Sequence, residues 1–296
     1  MSSLIDFCKA QTRDEILEAG RHLKLILWRG VMDMINDTND FESRFGGIGR
    51  LFGRAALEKF KSSKILVIGI GGVGSWVAES LARTGIGHMT LVDLDDVCVT
   101  NINRQVHALN GTVGKFKVDV MKERVALINP YCEIDTKQCF FNPKNLETIF
   151  DKQYDFVVDC CDDFTNKCYM IDHCRKNNIP MVVMGGAGGK VDPLQIRVTD
   201  MSLSSNDRLL ARLRKKMRQD FDFPREEDGD FGVWAVWSHE RAVYPTADGC
   251  TTHKPPAGLS KNMDCEEGFG SASFVTGAFA FAATSLILRQ MTKELA

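Results

Sequence analysis

The feature that most constrains this chain is a glycine turn, Gly69-x-Gly71-Gly72-x-Gly74, which directly follows a short apolar run. The run, residues 65–68, consists only of Ile, Leu and Val, which is typical of a strand covered on both faces of a sheet. After the turn, apolar residues recur at helical spacing. Such glycines allow a tight turn and let the backbone approach a phosphate at the positive end of a helix. The pattern predicts a nucleotide-binding unit, and alone it would first suggest an NAD-dependent dehydrogenase.

The alternation of apolar strands and helical segments continues from residue 65 to residue 184. Strands that alternate with helices imply βαβ units with right-handed crossovers. The predicted fold class is therefore α/β, Rossmann-like, with a mostly parallel sheet and flanking helices. The strands are predicted at residues 65–68, 89–92, 132–140, 156–158 and 181–184, and the later helices at 119–129, 145–151 and 167–177.

Three regions are predicted along the chain. They are an N-terminal helical extension (1–40, with an amphipathic helix at 13–36), a nucleotide-binding Rossmann-like core (41–190), and a smaller α+β C-terminal part (191–296) that packs with the core as one domain. The last region contains predicted strands at 194–198 and 233–237, a helix at 207–219, a long polar loop at 246–270 and a buried helix at 274–288.

Composition argues against a secreted or membrane protein. The first 40 residues contain no apolar run behind a basic start, as a signal peptide would, and the apolar stretch 274–288 is too short to span a bilayer. The ten cysteines include no C-x-x-C pair, so a four-thiolate zinc site is not expected. We expect a cytoplasmic location and no membrane partner.

The charges nearly cancel, with 37 Lys and Arg against 39 Asp and Glu and a net charge of −2. The whole chain therefore gives no bulk electrostatic reason to bind nucleic acid. The predicted helix at 207–219 is an exception, because its apolar residues Leu209, Leu213 and Met217 would face the core and leave its cations outside. Either a phosphate-binding face or an ordinary solvated face would produce this pattern, to which Lys254 and Lys261 of the long loop could add. The cations of the helix are Arg208, Arg212, Arg214, Lys215, Lys216 and Arg218.

Polar residues follow the second predicted strand. Asp93 ends that strand, at the position where an acid would bond a ribose hydroxyl. Beyond it stand Asp95, Asn101, Arg104, Gln105 and Lys117, a set that a dinucleotide does not need. Arg and Lys can hold β- and γ-phosphates, and carboxylates can hold Mg²⁺, so this set favours a triphosphate site.

A second acidic group follows the strand at 156–158. Ligands of open α/β sheets lie beyond the carboxyl ends of the strands, so Asp162 is predicted to point to the crevice of the glycine turn. Asp163 stands where it would cap the next helix. We assign Asp162 to chemistry and Asp163 to structure.

Taken together, these motifs resemble the ATP-dependent carboxylate-adenylating family of ubiquitin-activating-enzyme-like proteins, the ThiF-MoeB-HesA family. Within it, the chain is most similar to the branch of tRNA threonylcarbamoyladenosine dehydratases, through segments 44–53, 82–87, 97–101, 185–193 and 263–270. The resemblance covers residues 44–288 and leaves residues 1–40 without an interpretation. The motifs that carry it are the glycine turn, Asp93-x-Asp95, Asn101-x-x-Arg104-Gln105, Lys117 and Asp159-x-x-Asp162.

The resemblance implies an ATP-dependent cyclisation of threonylcarbamoyladenosine in tRNA. ATP would adenylate the free carboxylate of the modified adenosine, and the ureido part of the same side chain would then expel AMP and close an oxazolone ring. ATP and Mg²⁺ are the implied cofactors. The implied catalytic residues are Arg104, Lys117 and Asp162, and the implied nucleotide-binding residues are Gly69, Gly71, Gly72, Gly74, Asp93, Asp95, Asn101 and Gln105.

The resemblance also implies partners. They are a tRNA bearing threonylcarbamoyladenosine and a second copy of the chain, whose site would receive Arg44 or Arg50. A sulfur-transfer protein as partner and a sulfur-relay role of Cys265 stay open.

Two other functions remain as alternatives. One is adenylation of the C-terminus of a ubiquitin-like sulfur carrier, although such relatives usually hold zinc with two C-x-x-C pairs. The other is an NAD-binding oxidoreductase or non-catalytic binding module, which the cations at Arg104 and Lys117 disfavour.

Overall fold

A computed structural model describes residues 40–255 and 269–295 of the chain. The predicted helix at 13–36, Lys261 and Cys265 lie outside these residues. Contacts divide the chain into two compact units between Gly47 and Ile48. Residues 40–47, described by themselves, begin helix α1, in which the Phe41 and Phe45 rings are 4.9 Å apart between centroids.

The elements alternate largely as predicted. The helices are α1 (Asp40–Phe52), α2 (Arg54–Ser62), α3 (Gly74–Ala82), α4 (Lys117–Ile128), α5 (Leu146–Ile149), α6 (Phe164–Lys176), α7 (Arg208–Asp220) and α8 (Ser273–Met291). The strands are β1 (Lys64–Ile68), β2 (His88–Val92), β3 (Glu133–Lys137), β4 (Phe156–Asp159), β5 (Met181–Met184), β6 (Ile196–Asp200), β7 (Trp234–Ser238), β8 (Tyr244–Pro245) and β9 (Thr251–Thr252).

Seven strands form one sheet in the order β3-β2-β1-β4-β5-β7-β6. All neighbours are parallel except β6 and β7, which are antiparallel. The predicted class, an α/β Rossmann-like fold with a mostly parallel sheet, is therefore confirmed. Strands β8 and β9 pair separately.

The core lies on both faces of this sheet. Ile65 and Val67 of β1 pack on one side with apolar residues of α3, α4 and α8, whereas Leu66 and Ile68 pack on the other with α6 and α7. Successive side chains of a strand point to opposite faces, so an uninterrupted apolar run is what a strand covered twice requires. Because helices cover both faces of the sheet, the central strands are largely apolar, and the sequence predicts them.

Helix α8 is long and apolar enough to cross a membrane by length and composition alone, but 56% of its most apolar window is buried inside the protein. Phe279, Ala283 and Ile287 are fully buried and belong to the core beside α3. The prediction of a buried helix in this region is confirmed.

Several boundaries differ from the predictions by one to three residues. Helix α6 begins at Phe164 rather than at residue 167, because the Asp163 carboxylate accepts a hydrogen bond from Asn166 N (2.7 Å) and caps the helix there. Strand β6 begins two residues late, because Asp192 starts a 3₁₀ turn by accepting from Leu194 N. Strand β3 ends at Lys137, three residues before the predicted end.

Candidate functional site

The candidate site lies at the carboxyl edge of the central strands. Ile68 of β1 stands in register with Val92 of β2 on one side and with Asp159 of β4 on the other. Gly69 N donates to Val92 O and Cys160 N to Ile68 O, both at 2.8 Å. The glycine turn, the residues after β2 and the residues after β4 therefore leave the sheet side by side.

Two of the turn glycines are required by the fold. Gly69 has a φ of +88°, and a Cβ on it would lie 2.8 Å from the backbone of Cys160 and Cys161. A Cβ on Gly74 would overlap the carbonyl oxygen of Gly69. Larger residues at either position would separate the turn from its neighbours.

Gly71 and Gly72 are placed differently. A Cβ on Gly71 would find only Gln105 Nε2, at 4.0 Å, and a Cβ on Gly72 would lie 3.3 Å from Thr276 Cγ2 and 3.6 Å from Arg104 Cδ. Gly71 therefore has room for a Cβ in the protein itself, whereas a Cβ on Gly72 would require its neighbour to shift by a few tenths of an ångström. Both positions lie just before α3, where amide N–H groups at the start of a helix lack intrahelical partners and attract anions.

Asp93 braces this turn. Its Oδ2 accepts from Ile70 N (2.6 Å) and its Oδ1 from Asp95 N (2.9 Å). Burial raises the pKa of Asp93, although Lys117 and these two backbone bonds lower it. Each carboxylate oxygen keeps a second lone pair, so the predicted ribose contact is compatible with the brace.

Lys117 and Asp95 come together as an ion pair. Lys117 Nζ lies 2.7 Å from Asp95 Oδ2, and Lys117 N donates to Asp95 O at 3.0 Å. The lysine side chain is 8% exposed, whereas the aspartate is 50% exposed. The pair thus holds a nearly buried ammonium group at the end of β2, available to a phosphate that displaces the carboxylate.

Arg104 lies over the glycine turn. Its Nη1 donates to Thr100 O (2.7 Å) and Asn103 Oδ1 (3.1 Å). Its carbonyl oxygen accepts from Trp76 Nε1 of α3 and from Thr276 Oγ1 of α8. Two helices therefore fix its backbone, and the guanidinium group is oriented before any ligand arrives.

Gln105 and Asn101 are both buried in the same segment. Asn101 Oδ1 accepts from Cys98 N (3.1 Å) and closes a 3₁₀ turn. Gln105 Oε1 has no hydrogen-bond partner among the residues that the structure describes. A buried acceptor near Gly71 with a free lone pair can accept a hydrogen bond from a ribose hydroxyl or a bound water.

The acid that ends β4 and the two acids after it have separate positions. Asp159 points inward, where its Oδ2 lies 2.8 Å from Lys167 Nζ and neither side chain is exposed. Asp163 caps α6, as predicted. Asp162 is exposed, two residues beyond Cys160, which packs on Gly69. Of the three, Asp162 is the one whose carboxylate has no ion pair or capping bond among the described residues, and its predicted role at the site stays a prediction.

Lys167 is a functional-site neighbour that sequence reasoning missed. Its Nζ also lies 3.3 Å from Met184 O at the end of β5 and 3.5 Å from Asp159 O at the end of β4. Burial lowers the pKa of Lys167, but Asp159 reverses this effect and the pKa is raised overall. A signal existed, because Phe164, Lys167 and Ile171 share the core-facing stripe of α6.

Some of the cations of α7 already have partners within the protein. The Arg212 guanidinium lies 4.4 Å from the centroid of the Phe164 ring, and Lys216 pairs with Asp220. Leu213 and Met217 are fully buried, as predicted, and Leu209 packs at the edge of the same cluster.

Two arginines of α1 were candidates for a partner's site. Arg44 Nε lies 2.6 Å from Asp40 Oδ2 within the same helix. Arg50 is exposed in the last turn.

A sequence model of the ThiF family matches residues 47–224. The chain is 47% identical to the tRNA threonylcarbamoyladenosine dehydratase of Escherichia coli (strain K12), over 86% of this chain and 96% of that protein. It is also similar to crystal structures of the E. coli tRNA N6-threonylcarbamoyladenosine dehydratase in complex with ATP and with AMP. Each has a TM-score of 0.77 and 43% identity, and the matches cover 87% of this chain and 97% and 98% of those chains.

Proposed function

This chain belongs to the ThiF family, and on that premise we propose that it is an ATP-dependent tRNA threonylcarbamoyladenosine dehydratase. The observation that carries the proposal is the extent of the match. The E. coli dehydratase is 47% identical to this chain, and 96% of its length is aligned. Adenylation of a sulfur-carrier protein is less favoured, because the chain lacks the C-x-x-C pairs of such enzymes.

The reaction has two steps. First, a carboxylate oxygen of the substrate bonds to the α-phosphorus of ATP, and pyrophosphate leaves. Then the ureido oxygen bonds to the activated acyl carbon, AMP leaves, and the ureido N–H loses its proton as the oxazolone ring closes. The products are AMP, pyrophosphate and a cyclic side chain that has lost one water.

The site residues suit the first step. The N–H groups at the start of α3 would receive the phosphates near Gly71 and Gly72. Arg104 and Lys117 would offset the negative charge that grows on the departing pyrophosphate, and preorganised cations are worth most where water is excluded. Lys117 is nearly buried and Arg104 is already oriented, so neither needs much rearrangement.

We infer that Mg²⁺ accompanies ATP. Within residues 40–255 and 269–295, no group of three or more His, Cys, Asp or Glu side chains is arranged so that it could hold a metal ion. Mg²⁺ usually keeps several waters and binds through one or two carboxylates plus substrate phosphates, and the exposed Asp162 fits that role. The ion would neutralise phosphate charge.

We further propose a cytoplasmic homodimer, in which residues 41–190 hold the nucleotide and residues 191–296 contribute to the tRNA site. Phe274 and Phe281 of α8 lie seven residues apart, two helical turns, and are 56% and 52% exposed, which suits contact with a second copy. Arg44 or Arg50 would complete the partner's site. A sulfur-transfer partner remains a prediction from the family alone.

The test follows one oxygen atom. tRNA carrying threonylcarbamoyladenosine with an ¹⁸O-labelled carboxylate is incubated with ATP, and both AMP and the digested nucleosides are analysed by mass spectrometry. We expect one ¹⁸O in AMP and a nucleoside that has lost one water, with no AMP from tRNA that lacks the modification. ADP as product, or equal AMP from both tRNAs, would contradict the proposal.

A further inference from the structure

One side of α7, from Ala211 to Gln219, and Arg225 after the helix line a concave groove of about 570 Å³, here called the basic groove. Four of its six lining residues are cations and none is acidic. The groove lies on a chain whose net charge is only −2, so its positive potential is local. It is lined by Ala211, Arg214, Lys215, Arg218, Gln219 and Arg225.

Two of these cations are held in place. Arg214 Nη1 donates to Ser204 Oγ, and Arg218 Nε donates to Pro224 O at 3.1 Å. The Arg218 guanidinium also lies 5.2 Å from the centroid of the Phe231 ring. Both guanidinium groups are only partly exposed, so little side-chain freedom is left to lose when an anion binds.

The other two cations, Lys215 and Arg225, are exposed. Neither forms an ion pair with an acid in the part of the chain that the structure describes. Two nearby carboxylates are engaged elsewhere, because Asp220 pairs with Lys216 and Asp228 accepts from the backbone N–H of Arg225. The groove therefore combines two fixed guanidinium groups with two exposed cations that have no ion pair among the described side chains, which suits several phosphates better than one small anion.

The groove is connected to the candidate site through α7. Asp207 caps the helix by accepting from Leu210 N (2.9 Å), and its other oxygen accepts from Gly186 N (2.8 Å) in the loop after β5. Strand β5 neighbours β4, whose end carries the loop to Asp162. Helix α7 thus starts at the edge of the sheet where the crevice lies and carries the groove outward, over a length of about 20 Å for its 13 residues.

We propose that the basic groove binds the phosphodiester backbone of the tRNA substrate, at phosphates distant from the nucleotide that reacts. This inference rests on the proposed function, since that function makes an RNA the substrate. It also revises the cluster read from the sequence: Arg225 joins it, whereas Arg212 and Lys216 are engaged with Phe164 and Asp220.

The test compares two double variants with equal loss of charge, Lys215→Gln/Arg225→Gln in the groove and Arg212→Gln/Lys216→Gln on the same helix outside it. tRNA binding is measured by fluorescence anisotropy from low to high salt. We expect the groove variant to bind on the order of tenfold more weakly and to flatten the plot of log K against log salt by about 1.5, for two lost phosphate contacts. The control should bind almost as the wild type, and the KM for ATP should not change in either.

Wild-type binding and salt dependence in the groove variant, or an equal loss in the control, would overturn the inference. Failure of the proposed function would be recognised separately. In that case the wild type would release no AMP with the modified tRNA, whatever the binding curves show. Thermal unfolding of each variant confirms that the fold is intact.

Discussion

Lys167 Nζ lies 2.8 Å from Asp159 Oδ2, and neither side chain is exposed to solvent. This ion pair joins α6 to the ends of β4 and β5, directly beneath the loop that carries Asp162. Cys161 N and Sγ both donate to the other oxygen, Asp159 Oδ1. One buried charge pair therefore sets the backbone of the loop that leads to the site.

Lys167→Met should destabilise the protein by about 3–5 kcal/mol, because it leaves the Asp159 charge buried without its partner. Lys176→Met, in the same helix, removes a pair in which the lysine is 71% exposed and Asp172 is 14% exposed, and should cost less, about 1 kcal/mol. Urea unfolding measures both. Equal midpoints for the two variants would contradict the structural role given to Lys167.

The adjacent acids Asp162 and Asp163 should separate activity from stability. Asp162→Asn should lower the rate of AMP formation by on the order of 10²-fold with an unchanged unfolding midpoint, because the side chain is exposed and supports charge in the reaction. Asp163→Ala should lose about 1 kcal/mol of stability through the missing helix cap and keep most of its activity. The reverse result would exchange the two assignments.

Arg104→Ala and Lys117→Ala should each lower the rate on the order of 10²–10⁴-fold, as expected for preorganised charge contacts. Lys115→Ala is the matched control, since Lys115 is exposed two residues before Lys117. Steady-state kinetics of AMP release decides. Rates near the wild type in either of the first two variants would place the triphosphate elsewhere.

Gly71→Ala and Gly74→Ala should both lose ATP affinity, but for different reasons. Gly71 has room for a Cβ in the protein, so the variant should fold and lose only ATP affinity, which isothermal titration calorimetry measures. Gly74→Ala would overlap Gly69 O and should lower the unfolding midpoint as well. Gly111→Ala has open space around it and should change neither quantity; a folded Gly74→Ala protein with full ATP affinity would contradict this account.

His107 should make stability depend on pH. It is 1% exposed, and burial together with Lys117 and Arg124 lowers its pKa to about 4. Between pH 6.5 and about 4, His107 is protonated in the unfolded chain but neutral in the folded protein. The free energy of unfolding should therefore fall by roughly 3 kcal/mol as the pH drops from 6.5 to about 4. His107→Gln should flatten this fall, measured by urea unfolding at several pH values, whereas His253→Gln, at an exposed position, should keep it.

How far the sequence predicts this molecule depends on how local each signal is. Strand β1 was found within one residue because a strand buried on both faces is apolar throughout. Helix α1 was not predicted, and its Gly46, Gly47 and Gly49 have low helix propensity. Asp93 could be placed at the end of a strand, but its bond to Ile70 N connects residues 23 positions apart, which no local pattern reveals.

Asp207 has a consequence beyond capping a helix. Since one carboxylate fixes both the start of α7 and Gly186, the helix cannot slide along its axis without breaking the loop beside the reaction site. The basic groove, whose lining extends from Ala211 to Arg225, is therefore held at a fixed distance from that loop. An RNA would then be selected by the distance between the phosphates bound in the groove and its reactive nucleotide. This is selection by shape, for which the protein does not need to contact the bases in between.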